Sequence, residues 1–466
     1  MSLTTVSFVF FFLPAGILLY RLTPEKIRNF LLLLLSMFFI VWGNPTHLIL
    51  ICLSIAFNYF TALEIDDFRR LKKDKQKKRV LLTGVIANAA LLVFFKYFVF
   101  LLSSIGIENG FSVPAAPIGI SFFTFSAISC LCDVSNGDAS VLDNPIEFAL
   151  YILFFGKITS GPIVKYRDMA KQIRQRDMNA ASLESGLKLF IIGLSKKLII
   201  AGSLGKFFNA IKAEELSSMS VLTAWLGALF YSLMLYYDFS GYSDMAIGLG
   251  RIFGFDFAKN FDYPYISSGM TEFWRRWHIS LGTWFRDYVY IPLGGSRVSK
   301  GRNILNLTVV WLLTGLWHGA NWTFVIWGLY HLSLLLIEKF ALKNVLSKIP
   351  SVLRAVPTFL LAVIGWTIFF SDSISYAFTY LMRMFAIGGG GFSDSAGIYY
   401  LTGGGILLTA AIVGATPLPS SLGKKIEKKN SASAQIGATV FFALLLLGST
   451  AFMISDTVTS FLYAQF

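Results

Sequence analysis

Four histidines occur in the 466 residues, and two of them stand among residue types that could carry acid–base chemistry. His318 lies in the run Trp317-His318-Gly319-Ala320-Asn321, and His278 closes the run Trp274-Arg275-Arg276-Trp277-His278. Imidazole is the side chain whose ordinary pKa lies nearest neutrality, so a buried neutral ring can take a proton from a hydroxyl at pH 7. Gly315 and Gly319 remove side chains around His318, which reads as room for a long ligand, with Trp317 as a substrate contact. Asn321 offers an amide to orient the ring or to bind an oxyanion. The bland alternative for His318 is a neutral core histidine bonded to a backbone carbonyl. For His278 the residues leave two readings open: a second polar group of the same site, or part of an interfacial helix anchored by Trp and Arg at the headgroups. Cys130 and Cys132 lie two apart with no second pair and no adjacent histidine, so no metal is expected. With Cys52 they cannot pair off evenly, and no structural disulfide is expected.

The elements that must position these residues are membrane helices. The chain is 55% hydrophobic and 14% charged, with a mean hydropathy of +0.65, a balance that places it in lipid. Apolar runs at 6–20, 30–41, 48–60, 80–102, 355–370 and 436–454 approach the roughly 20 residues that span hydrocarbon. Counted along the whole chain, they predict an all-α polytopic membrane protein of roughly ten to twelve transmembrane or re-entrant segments. The first run leads through Arg21 and Arg28 straight into a second, so it is expected to be retained as a helix, not cleaved as a signal peptide. The net charge of +14 gathers in short loops between apolar runs, which is a topology signal and not a nucleic-acid footprint.

Stretch 64–79 carries eight basic residues, the strongest cytoplasmic marker in the chain. Counting spans back from it places the N-terminus outside, puts Arg21, Lys26 and Arg28 inside, and leaves the base-free stretch 103–117 outside. Two full spans between 117 and 161 would export the basic loop 165–176. One segment there is therefore expected to be re-entrant or buried, with Pro117, Gly119, Gly156, Gly161 and Pro162 breaking helices where protein or a cavity satisfies the backbone. From the basic stretch 259–302, placed inside, residues 304–317 climb only about 21 Å, which sets His318 at membrane depth. The lysine-rich run 423–430 marks another cytoplasmic loop, and one further span carries the last residues outside. The expected organisation is a membrane domain over 1–454 and an extracytoplasmic tail over 455–466.

Several of these motifs carry a resemblance. Pro117-Ile118-Gly119-Ile120-Ser121-Phe122-Phe123, Asp238-Phe239-Ser240-Gly241-Tyr242-Ser243-Asp244, the stretch 273–280 and Trp317 to Asn321 resemble the membrane-bound O-acyltransferase superfamily. The continuation from Trp284 through Tyr290-Ile291-Pro292-Leu293-Gly294-Gly295-Ser296-Arg297 resembles its bacterial alginate O-acetyltransferase branch. The likeness covers about residues 5 to 340. It implies a ring of tilted helices around a central tunnel that joins a cytoplasmic donor site to an outer funnel. It also implies that His318 is the essential catalytic histidine and His278 a second polar residue near the path. It implies no permanently bound cofactor and, as donor, acetyl-coenzyme A (acetyl-CoA), whose phosphates would meet Arg275, Arg276, Arg286, Arg297, Lys300 or Arg302.

The tail Phe461-Leu462-Tyr463-Ala464-Gln465-Phe466 resembles the C-terminal Phe-x-Tyr-x-x-Phe motif of the small partner protein of teichoic acid D-alanylation. By that likeness Tyr463 would receive the acyl group; the plain alternative is an aromatic interface belt. Three functions follow from these features. The first is an exporter of acetyl groups that serves an extracytoplasmic esterase-like (SGNH/GDSL-like) acetyltransferase, which O-acetylates a cell-surface polysaccharide. The second is direct acylation of lipid or polymer, or D-alanyl transfer from a carrier protein. The third is a transporter in which His318 and Asp244 relay protons, against which stands the lack of internal symmetry in the sequence.

Overall fold

The computed structural model of the chain describes residues 1–107, 113–428 and 431–455. Among these the regular structure is helical throughout, with no strand. Six helices are long and apolar enough to cross a membrane: Pro45–Arg70, Asp74–Ser104, Trp322–Ala341, Ser351–Phe370, Ser395–Gly414 and Ala432–Ile454. Shorter apolar helices cover Ser7–Leu22 and Ile120–Asn136. The chain divides into two compact units, one built from Met1–Phe190, Ser243–Lys259 and Thr283–Tyr288, the other from Ile191–Tyr242, Asn260–Gly282 and Val289–Phe466.

In the first unit, helices Pro45–Arg70 and Asp74–Ser104 are tied by a reciprocal amide pair. Asn58 Nδ2 donates to Asn88 Oδ1 at 3.2 Å and Asn88 Nδ2 donates back to Asn58 Oδ1 at 2.7 Å. Buried amides of this kind join membrane helices where the hydrophobic effect between them is weak. The segment expected to be broken is so: helix Ile120–Asn136 is buried almost throughout, and Pro145–Leu153 has nine residues, a climb of about 14 Å. Gly119, at φ +70°, lies so close to the Ile158 carbonyl that an added Cβ would stand 2.0 Å from its oxygen. Only glycine allows that turn to seat itself on the 154–161 loop.

Two aspartates of this unit collect partners from distant positions. Asp133, fully buried, accepts from Tyr288 Oη at 2.8 Å and from the Arg167 backbone N–H at 2.9 Å. Asp287 accepts from Lys165 at 2.6 Å, Arg167 at 2.7 Å and Arg286 at 2.8 Å. These bonds fix residues 286–288 to residues 165–167.

In the second unit the core of the site is a helical hairpin, Lys300–His318 and Trp322–Leu336. Ser299 caps the first helix and Asn321 the second. An added Cβ on Gly315 would meet the Phe324 carbonyl oxygen at 2.5 Å, and one on Gly328 the Trp311 carbonyl oxygen at 2.6 Å. The two helices therefore touch backbone to backbone at both glycines. A Cβ on Gly319 would meet the Phe324 ring at 2.5 Å. Gly315 and Gly319 thus admit the neighbouring helix and not a long ligand, a correction to what their position suggested.

Candidate active site

His318 is the last residue of helix Lys300–His318 and is 3% exposed. Its ring is held by aromatic neighbours: Trp317 at 5.0 Å between ring centres, Trp327 at 4.9 Å, Phe369 at 5.1 Å and Phe324 at 6.4 Å. Trp327 and Phe369 stand almost perpendicular to it, at 85° and 81°. Packing this dense lets the imidazole take few orientations, which is what a proton-transfer group needs.

His278 joins two short helices, Met270–Arg276 and Ile279–Phe285, with φ at +46°. A non-glycine residue in the left-handed region costs on the order of 1 kcal/mol and persists only where its surroundings over-determine it. Asn260 does this. Its side-chain oxygen accepts from the Ser280 backbone N–H at 3.0 Å and lies 3.3 Å from His278 Nδ1, and its carbonyl accepts from Ile279 N–H at 2.9 Å. Because that oxygen is an acceptor, Nδ1 carries the proton and Nε2 is the basic nitrogen, a tautomer assigned from the hydrogen bonds. The ring is 3% exposed, 4.6 Å from Phe239 and 5.9 Å from Trp317. The chain thus brings His278 and His318 against the same indole, and His278 lies in the core instead of at an exposed anchor.

The helix before His278 is held at its start by a distant carboxylate. Glu338 accepts from the Met270 backbone N–H at 2.6 Å and from Thr271 N–H at 3.3 Å, supplying the cap the short helix lacks. Arg276 turns back to Glu272 at 2.6 Å and to the Asp262 carbonyl at 3.2 Å, whereas Arg275 is exposed. Further along, Gly294 and Gly295 turn with φ of +107° and +59°. The Gly295 carbonyl is gripped by Asn303 at 3.0 Å and Asn306 at 3.2 Å. Arg297, Lys300 and Arg302 follow on the surface. Arg286 belongs to the other unit, where it is exposed and bound to Asp287.

Asn321 serves as a helix cap and a loop tie. Its oxygen accepts from Thr323 N–H at 3.0 Å and its amide donates to the Asp372 carbonyl at 3.0 Å. Tyr463 lies outside the described residues. The sequence did not single out His331, which is fully buried with its ring 4.9 Å from Trp327 and 4.8 Å from Trp274. The available signal was its spacing, four residues after Trp327 and so on the same helix face. Among the described residues no group of histidine, cysteine and carboxylate side chains is disposed to hold a metal ion.

Residues 38–382 match the model of the membrane-bound O-acyltransferase family. The chain is 41% identical over 396 residues to the probable alginate O-acetylase AlgI of Azotobacter vinelandii, covering 83% of this chain and 78% of that one. It is 35% identical over 424 residues to the peptidoglycan O-acetyltransferase of Helicobacter pylori, covering 83% and 80%. A teichoic acid D-alanyltransferase of Bacillus subtilis is 32% identical over 234 residues, 48% of this chain and 59% of the relative.

Proposed function

The chain belongs to the membrane-bound O-acyltransferase family, and from that premise we propose that it moves acetyl groups from cytoplasmic acetyl-CoA across the membrane for O-acetylation of a cell-surface polysaccharide. The observation that carries this is the burial of His318 and His278 against Trp317. His318 acts as the general base. It takes the proton of an acceptor hydroxyl as that oxygen attacks the thioester carbonyl, and returns it to the departing sulfur. His278, held by Asn260, keeps a basic nitrogen in the same aromatic pocket, and Trp317 packs between imidazoles and substrate. The immediate acceptor is Tyr463, and an esterase-like partner outside the membrane completes transfer to the polymer. Both termini are then extracytoplasmic, with residues 455–466 as the working tail. Acetyl is favoured over D-alanyl because the O-acetylase relatives match far more of the chain than the D-alanyltransferases do.

The test is thiol release. Purified protein given labelled acetyl-CoA and a hydroxyl acceptor is expected to liberate free coenzyme A and an acetyl ester in equal amounts. In sealed vesicles it is expected to do so with donor supplied on one face only. A proton-coupled transporter would move solute with no thiol released, and that result would remove the enzymatic assignment.

Donor binding separates the two neighbouring arginines. Arg276 is spent on Glu272 and Asp262, so Arg275, exposed beside it, is the one available to a phosphate, with Arg297, Lys300 and Arg302 as further cations. Arg275→Ala is expected to raise the apparent KM for acetyl-CoA several-fold while leaving kcat within about two-fold, since it removes binding common to ground and transition states. An unchanged KM would return Arg275 to a role at the headgroups.

A further inference from the structure

Acyl transfer needs a donor for the negative charge that collects on the carbonyl oxygen as the tetrahedral intermediate forms. The obvious group, the Asn321 amide, is held at the helix cap, its oxygen on Thr323 N–H and one of its two N–H donors on the Asp372 carbonyl. The backbone N–H of Gly319 is likewise spent, on Leu316. One neighbour of His318 is differently placed. Trp327 is fully buried, its ring centre is 4.9 Å from that of His318, and its indole N–H has no hydrogen-bond partner among the described residues. A buried indole N–H is ordinarily paired, because leaving a donor unmatched in a dry interior costs stability. The same is true of the Trp274 indole N–H and of both nitrogens of His331. The Trp274, Trp327 and His331 rings lie within 5.5 Å of one another. Together these groups offer more donors than acceptors, which suits an incoming acceptor oxygen.

We propose that Trp327 is a catalytic residue that donates its indole N–H to the oxyanion of acyl transfer at His318, an assignment that rests on His318 being the base. The acceptor oxygen bonds to the thioester carbon as His318 takes its proton, and the carbonyl electron pair moves onto oxygen, opposite the Trp327 N–H. Collapse restores the carbonyl and breaks the carbon–sulfur bond. The sulfur leaves with the electron pair and takes the proton back from His318. Thioester and alcohol thus become ester and thiol with nothing left over.

Trp327→Phe keeps an aromatic ring and deletes the donor. Its kcat for coenzyme A release is expected to fall about 10²-fold with KM changed by less than about two-fold, the pattern of an interaction made only in the transition state. Trp311→Phe, a similar truncation 6.1 Å away, is expected to keep near wild-type kcat. Equal losses in both variants, or wild-type kcat in Trp327→Phe, would overturn the assignment. Should Trp327→Phe fail to fold, placing benzothienylalanine at position 327 preserves the shape and replaces N–H by sulfur; the same loss supports the donor and full activity overturns it. His318→Ala in the same assay keeps the two claims apart. An active His318→Ala removes the base, whereas an inactive one beside a fully active Trp327→Phe removes only the oxyanion donor.

Discussion

His318→Ala is expected to lower acetyl transfer by about 10²-fold or more while the protein still folds. A positioned general base contributes about 10²- to 10⁴-fold. The ring sits among Trp317, Trp327 and Phe369, so its loss leaves a cavity that costs about 2 kcal/mol. His318→Gln is the companion variant, because it fills the space and hydrogen-bonds without acting as a base near neutrality. Both are expected to lose activity together while detergent-solubilised protein keeps a cooperative thermal transition. The measurement is release of coenzyme A thiol per unit of folded protein. Wild-type turnover in either variant would remove His318 from the chemistry and leave it as a core histidine.

The sequence could point to His318 and His278 because each sits in a run of residue types that a plain membrane helix has no reason to contain. It could not show what holds them. Asn260 reaches His278 from 18 residues away, and Glu338 caps the Met270–Arg276 helix from 68 away. Neither carries a local pattern that announces a partner, since a lone asparagine or glutamate beside an apolar run also reads as a helix end or a solvated face. Gly315 and Gly319 failed in an instructive way. A glycine beside a histidine signals close approach, but nothing in one strand of sequence says whether the approaching body is a ligand or another helix; here it is Phe324.

The apolar runs predicted roughly ten to twelve transmembrane or re-entrant segments; among the described residues six helices combine spanning length with spanning hydropathy, and shorter apolar helices cover Ser7–Leu22 and Ile120–Asn136. Hydrophobicity reports burial, and helix Ile120–Asn136 is buried by protein on nearly every side. Helix Val221–Ile252 has 32 residues but carries Asp238, which is paired with Lys197 deep in the core. Such polar runs lower the mean hydropathy of a helix without removing it from the interior. The broken stretch from Pro117 to Gly161 was legible because glycine and proline act through backbone geometry, which is local. The Asp133 and Asp287 clusters were not, because they join positions 120 to 155 residues apart.

Tyr463 is expected to become acetylated during turnover, and Tyr463→Phe to abolish acetylation of the polymer. The residue lies outside the described part of the chain, so the expectation stands on the terminal motif, the loop count that exports it, and the chemistry of a phenol. An aryl ester transfers its acyl group more readily than an alkyl ester, because a phenol with pKa about 10 is a better leaving group than an aliphatic alcohol. Tyr463 can therefore hold acetyl without committing it. On the proposed route the phenol oxygen attacks the acetyl thioester first, the hydroxyl proton passes through His318 to the departing sulfur, and an acetyl-tyrosine forms. In the second step a partner's nucleophile takes the acetyl and the phenol regains a proton. The proposed route requires the hydroxyl to come within about 3 Å of His318 in at least one conformation. Tyr463→Phe keeps the aromatic anchor and removes one oxygen, which separates shuttle from anchor. Incubation of purified protein with labelled acetyl-CoA, followed by proteolysis and mass spectrometry, is expected to place one acetyl group on residues 455–466 in the wild type and none there in Tyr463→Phe. Full polymer acetylation by the phenylalanine variant, with the partner present, would mean that the tail only anchors.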